Sequence, residues 1–121
     1  MREPSMKVAQ QIDFDVLERG ASIADLERGR SYYLQLCVPC HGASGRGDGE
    51  WAYRMTPRPT DFTGRRTSAR GEEALRAAIS KGIPGTAMRG WDDRLSGTQI
   101  RQVLGYVRHL GRVESGRASS P

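Results

Sequence analysis

The sequence predicts an all-α domain built on three main helices. Three observations carry that expectation. Apolar residues recur at helical spacing in three separate segments of the 121-residue chain. Two of those segments open on a capping sequence, and the third ends on a glycine suited to a helix terminus. No run alternates apolar and polar residues as a half-buried strand does, and no internal repeat is present. The length is that of one small domain. Only 36% of the residues are apolar or aromatic and 15 are glycine, a thin inventory for a core. Domains of this size often add a disulfide, a metal or a cofactor to hold together.

The elements follow in order. Residues 1–21 scatter Val8, Ile12, Phe14, Val16 and Leu17 among acidic residues and read as an N-terminal extension or docking arm. They show no basic start followed by an apolar stretch, so no signal peptide is expected in this chain. The first helix should open at Ser22, where Ser-x-x-Asp resembles a capping box, and carry Ile23, Leu26, Tyr33 and Leu36 on its apolar side. Gly29 in its middle costs up to about 1 kcal/mol relative to alanine, which marks a close approach by another element. Residues 42–49 hold four glycines and form a loop. It lacks the Gly-Lys-Ser/Thr that a phosphate cradle needs. Residues 55–68, with Pro57 and Pro59, are irregular.

Glu72 to Lys81 is the second helix, acidic at its start, basic at its end and closed by Gly82. Leu75, Ala78, Ile79 and Ile83 line its apolar side. Residues 83–95 are a loop carrying Met88 and Trp91. The third helix opens on Ser96-Gly97-Thr98-Gln99, a capping box. It presents Ile100, Val103, Leu104, Val107 and Leu110 on one face and should stop at Gly111. The main domain is therefore expected over residues 22–111, with residues 112–121 a flexible tail.

Charge and cysteine content narrow the function. Residues 1–36 hold 5 Lys/Arg and 6 Asp/Glu, whereas residues 37–121 hold 14 and 8, a local net charge of +6. The arginines are dispersed rather than gathered in a basic block, which argues against a nucleic-acid partner. No apolar run approaches the roughly 20 residues of a membrane span. The two cysteines, Cys37 and Cys40, are followed at once by His41. Two cysteines make no disulfide framework, and zinc would need two further ligands where the only other histidine is His109. A thioredoxin-like pair needs a strand–helix context that is absent. Cys-x-x-Cys-His is instead the spacing of c-type haem attachment. Two thiols add across the two vinyl groups of one haem, and the next residue offers an imidazole to the iron from the same face.

The iron then needs a sixth ligand or stays open. By residue type the candidates are Met1, Met6, Met55, Met88 and His109. Met1 and Met6 fall in the N-terminal segment, and Met55 precedes the proline loop, where it reads as packing. His109 lies on the far side of its helix from the centre of the apolar stripe, which predicts a solvated surface histidine. Met88 sits in a loop between two helices able to pack around one cofactor.

From Ser22 to Leu110 the chain resembles the class I, monohaem, periplasmic-type cytochromes c. The resemblance rests on the order of elements and on three runs: Cys37-Val38-Pro39-Cys40-His41-Gly42, Pro57-Arg58-Pro59-Thr60-Asp61-Phe62, and Gly82-Ile83-Pro84-Gly85-Thr86-Ala87-Met88. It implies a small cytochrome c fold, three main helices and loops wrapped around one covalently bound haem c held through Cys37 and Cys40. It implies His41 and Met88 as axial ligands. It also implies a prolyl carbonyl accepting the imidazole N–H, with Pro57 the best match and Pro59 second. Trp91 should pack beside the haem or donate near a propionate. The first and last helices should cross where Gly29 and Tyr33 meet Val103 and Tyr106. Arg89 departs from the family, which commonly has proline after the methionine; arginine does not stiffen the chain, but puts positive charge near the haem rim.

The function these readings imply is single-electron transfer between redox proteins of a respiratory or dehydrogenase chain, not catalysis. Haem attachment of this kind takes place outside the cytoplasm in bacteria, so the location should be periplasmic or otherwise extracytoplasmic. A basic haem domain should meet redox partners through an acidic docking face. The alternatives are a peroxidase-like haem domain with an open sixth site, or a cytochrome c subunit or domain of a larger oxidoreductase complex.

Overall fold

A computed structural model describes residues 22–63 and 71–119. The N-terminal segment 1–21, with Met1 and Met6, lies outside the described residues. The all-α expectation holds among them. Helix α1 spans Ile23–Leu36 and the one-turn α2 spans Val38–His41. A 3-10 turn follows at Ala52–Arg54, then α3 at Glu72–Lys81 and α4 at Gly97–Ser119.

The caps form as the side chains dictate. The Ser22 hydroxyl accepts from the Asp25 N–H at 3.0 Å. At α4 the capping box is reciprocal: Gln99 N–H donates to Ser96 Oγ at 3.1 Å, and Ser96 N–H donates to Gln99 Oε1 at 2.8 Å. Helix α3 ends on Gly82 at φ 80°, a conformation that costs other residues strain.

The frame is the crossing of α1 over α4. A Cβ on Gly29 would run into the backbone carbonyl of Gln102 and reach Tyr106 Cβ at 3.0 Å, so glycine is what lets the helices touch. Beside that contact the rings of Tyr33 and Tyr106 lie 5.4 Å apart. Gln102 donates to Asp25 at 3.0 Å and Gln99 donates to the Tyr32 hydroxyl at 3.1 Å. Tyr33, Leu95, Ile100, Val103, Tyr106, Val107 and Leu110 form the core. Leu26 is fully buried, whereas Ile23 in the first turn is exposed.

Two expectations for α4 are corrected. The helix does not stop at Gly111 but continues to Ser119. Gly111 serves a close approach instead, since a Cβ there would strike the Phe62 carbonyl. Beyond it Glu114 is buried and pairs with Arg46 of the glycine loop at 3.4 Å. His109, expected in solvent, is only 2% exposed. A single apolar stripe accounts for one buried face only. In the structure α1 covers one side of α4, while Gly45 and Phe62 close on Leu110 and Gly111 from another.

Candidate functional site

The site begins where α1 ends. The Cys37 N–H continues the helical ladder to Tyr33 at 2.9 Å, and the Cys40 and His41 N–H groups both turn back to the Cys37 carbonyl, at 3.2 and 2.8 Å. Pro39 supports this turn, because its missing N–H falls in the first turn of α2 where no acceptor is needed. Cys37, Cys40 and His41 are thus presented together from one tight turn. Both thiols are free and half-buried. Burial, reinforced by the neighbouring Cys40, pushes the Cys37 thiol up to about 12; burial raises Cys40 as well. Both are therefore thiols rather than thiolates near neutral pH.

His41 is fixed from two directions. Its Nδ1–H donates to the Thr60 carbonyl at 3.1 Å, which leaves the Nε2 lone pair free for a metal. The Phe62 ring stacks on the imidazole, with centroids 4.5 Å apart and planes inclined by 21°. Burial lowers the His41 pKa, partly offset by the bond to Thr60, so the ring is held in the neutral form a ligand needs. The acceptor corrects the sequence expectation. Pro57 is exposed and the carbonyl at the imidazole is that of Thr60, three residues further on. The reason is local packing. Gly47 lies so close to the Pro59 carbonyl that a Cβ would collide with it, and Phe62 N–H bonds to the Gly45 carbonyl at 2.7 Å. These contacts seat the 59–62 stretch against the glycine loop and aim the next carbonyl, from Thr60, at the ring.

Met88 lies in a second tight loop. Gly82 and Arg89 pair across its base, and Ile83 N–H donates to the Met88 carbonyl at 3.1 Å. The Thr86 hydroxyl donates to the Ile83 carbonyl at 2.7 Å and accepts from the Met88 N–H at 3.1 Å. Trp91 follows, half-buried against the core cluster that also receives Cys37, Phe62 and Ile79. Its backbone N–H reaches back to the Ile79 carbonyl at 2.9 Å. Met55, by contrast, ends the 3-10 turn by donating its N–H to Ala52. Arg89 does not present a free charge. Its guanidinium lies 4.4 Å from the centre of the Trp91 ring system and pairs with Asp93.

Sequence reasoning missed Thr60, Phe62 and Thr86. Only Thr86 left a signal: a threonine two residues before the methionine can bond its own loop's backbone. The Thr60 contribution is a backbone carbonyl, which side-chain identity does not announce.

The donor set suits a c-type haem. Two adjacent free thiols can form thioethers, and the imidazole beside them is neutral and oriented. Among the described residues no group of three or more His, Cys, Asp or Glu side chains gathers around a point that would hold a bare metal ion. No helix among them is long and apolar enough to cross a membrane.

Comparison with known proteins agrees with this chemistry. Residues 24–107 match the family described as cytochrome c oxidase, cbb3-type, subunit III. The chain is 34% identical over 87 residues to the cbb3-type cytochrome c oxidase subunit FixP of Bradyrhizobium diazoefficiens. That stretch covers 72% of this chain but 28% of the relative, so the chain spans well under half of the relative's length.

Proposed function

The chain belongs to the cytochrome c oxidase, cbb3-type, subunit III family and binds a covalent c-type haem, and from that premise we propose that it is a one-electron carrier with His41 and Met88 as axial ligands. The observation that carries this reading is the pairing of two free thiols with an imidazole whose Nδ1 is already committed to Thr60. Cys37 and Cys40 hold the haem through thioethers. His41 offers Nε2, kept at a fixed tilt by the Thr60 carbonyl and the Phe62 ring. The Met88 backbone is held at both its N–H and its carbonyl, so the loop offers its thioether with little freedom. When bound, the haem iron supplies reversible one-electron exchange, and thioether ligation raises its potential. The protein's own part would be to hold the haem through Cys37, Cys40, His41 and Met88, which would leave a substrate no place at the metal.

The chain acts as a subunit or domain of a larger oxidase complex outside the cytoplasm; its similarity to a named subunit of such an oxidase supports that assignment. Its partners are redox proteins, and the basic balance of residues 37–121 favours an acidic docking face on them.

Two measurements test the ligands and the attachment. Denaturing mass spectrometry of the mature protein should show one haem retained, and the retention should disappear in a Cys37→Ala, Cys40→Ala double variant. The oxidised protein should be low-spin with an iron–sulfur absorption band. Met88→Ala should abolish that band, and Met55→Ala should leave it. Loss of the band in Met55→Ala alone would overturn the assignment.

A further inference from the structure

The 82–89 loop is shaped by its own hydrogen bonds, and its base is joined to α3 by the Gly82–Arg89 pairing and by the backbone N–H groups of Trp91 and Asp92 returning to Ser80. Ile83, Thr86 and Met88 bond to one another. The residue after the methionine adds a side-chain tie to these backbone bonds. Arg89 makes three contacts with one guanidinium. Its Cζ lies over the Trp91 ring system, 4.4 Å from the centroid. Its Nε–H donates to the Gly90 carbonyl at 2.8 Å. Its terminal nitrogen pairs with Asp93. The Trp91 side chain is in turn packed on the core, and its backbone N–H bonds to Ile79 near the end of α3. Gly90 sits so tightly against the Ser80 carbonyl that no side chain fits there.

We propose that Arg89 is a positioning residue for Met88: its guanidinium, stacked on Trp91 and paired with Asp93, clamps the end of the methionine loop to the core. This rests on the reading of Met88 as an axial ligand. The clamp is intramolecular and consumes the charge that would otherwise face a partner. A planar guanidinium can stack and bond in its plane at the same time, which an ammonium cannot. The geometry therefore asks for arginine and not merely for a positive residue.

The test uses the ferric holoprotein with imidazole as an external ligand that displaces a weakly held methionine. Displacement is read from the loss of the iron–sulfur band. Arg89→Ala should raise the apparent imidazole affinity about two- to fivefold, the range a partly exposed cation–π contact supports. Asp93→Ala should raise it less, and the two substitutions together should fall short of the product of their separate effects, because they remove parts of one clamp. Arg89→Lys should recover only part of the loss. Helical content and reduced-state spectrum should not change in any of them. A second readout does not depend on the ligand: amide exchange at Ile83, whose N–H holds the Met88 carbonyl, should accelerate in Arg89→Ala. Unchanged imidazole affinity in Arg89→Ala overturns the proposal, whether or not exchange accelerates. Absence of the iron–sulfur band in the unmodified protein would instead sink the ligand reading and the proposal with it, an outcome distinguishable from the first because there the band is present throughout.

Discussion

The Tyr33 hydroxyl donates to the Gly42 carbonyl at 2.6 Å, joining the buried last turn of α1 to the residue directly after His41. Burial pushes the Tyr33 hydroxyl well above the ordinary phenol range, so it remains a donor at any working pH. The same ring touches Phe62 edge-on, with centroids 6.3 Å apart, and Phe62 lies against His41. One side chain thus supports the helix crossing and the ligand turn together.

Tyr33→Phe keeps the ring and removes the donor, leaving the Gly42 carbonyl buried without it. The expected cost is about 1–3 kcal/mol, read from denaturant unfolding of the holoprotein. A variant as stable as the parent would show that this bond contributes nothing net.

Gly29→Ala tests the crossing. Helix propensity alone favours alanine by about 1 kcal/mol. Overpacking against the Gln102 backbone opposes it by about 1–3 kcal/mol, and a backbone carbonyl cannot rotate out of the way as a side chain can. The substitution should lower the unfolding midpoint. A higher midpoint would mean that the helices separate without penalty.

Asp25 gives the crossing a pH dependence. Hydrogen bonds from Gln102 and then Ser22 hold its carboxyl below the ordinary value of 3.8. A carboxylate depressed in the folded state stabilises it above the unfolded pKa and loses that contribution as pH falls through the folded value. The stability gap between the parent and Asp25→Asn should therefore be full at neutral pH and close as pH drops below about 4. A gap independent of pH would remove the carboxylate from the account.

Partner docking should be salt-dependent. Arg76 is committed to Glu73 and Arg89 to Asp93, whereas Arg54 is exposed and lies over the Tyr53 ring. The association rate with the co-purifying redox partner should fall as ionic strength rises. Arg54→Glu should slow it more than Arg76→Glu. No salt dependence would indicate docking through apolar contact alone, and equal effects of the two reversals would remove Arg54 from the contact.

Side-chain identity made much of this molecule legible. Ser22, Ser96 and Gln99 announced their caps because their side chains make the capping bonds. Gly29 announced a close approach because nothing else explains a glycine there. The Cys37–His41 spacing announced the cofactor because the chemistry requires it. What stayed hidden depends on backbone direction or on the whole packing arrangement. Thr60 replaces Pro57 at the imidazole because a carbonyl is aimed by the loop around it. His109 is buried because α4 is covered on more than the single face a helical wheel assumes. Gly111 looked like a terminus, but glycine also permits close approach, and Phe62 supplies the approaching group.

The Thr60–His41 bond spans 19 positions of sequence, and the Tyr33–Gly42 bond spans nine. The helix crossing joins residues 67 and 77 positions apart through Gln99–Tyr32 and Gln102–Asp25. The imidazole is thus oriented by near neighbours, and the frame is closed by distant ones. In a chain emerging from its N-terminus, the carbonyl and the ring that fix His41 exist once residue 62 has been made, before any of α4. The two systems meet at Phe62, which packs on the Tyr33 ring and against Gly111 of α4, so tilting of the ligand and opening of the frame are coupled through that one side chain. A lesion at Gly111 in the last helix should therefore disturb the imidazole as well as the frame, and one at Phe62 should reach both.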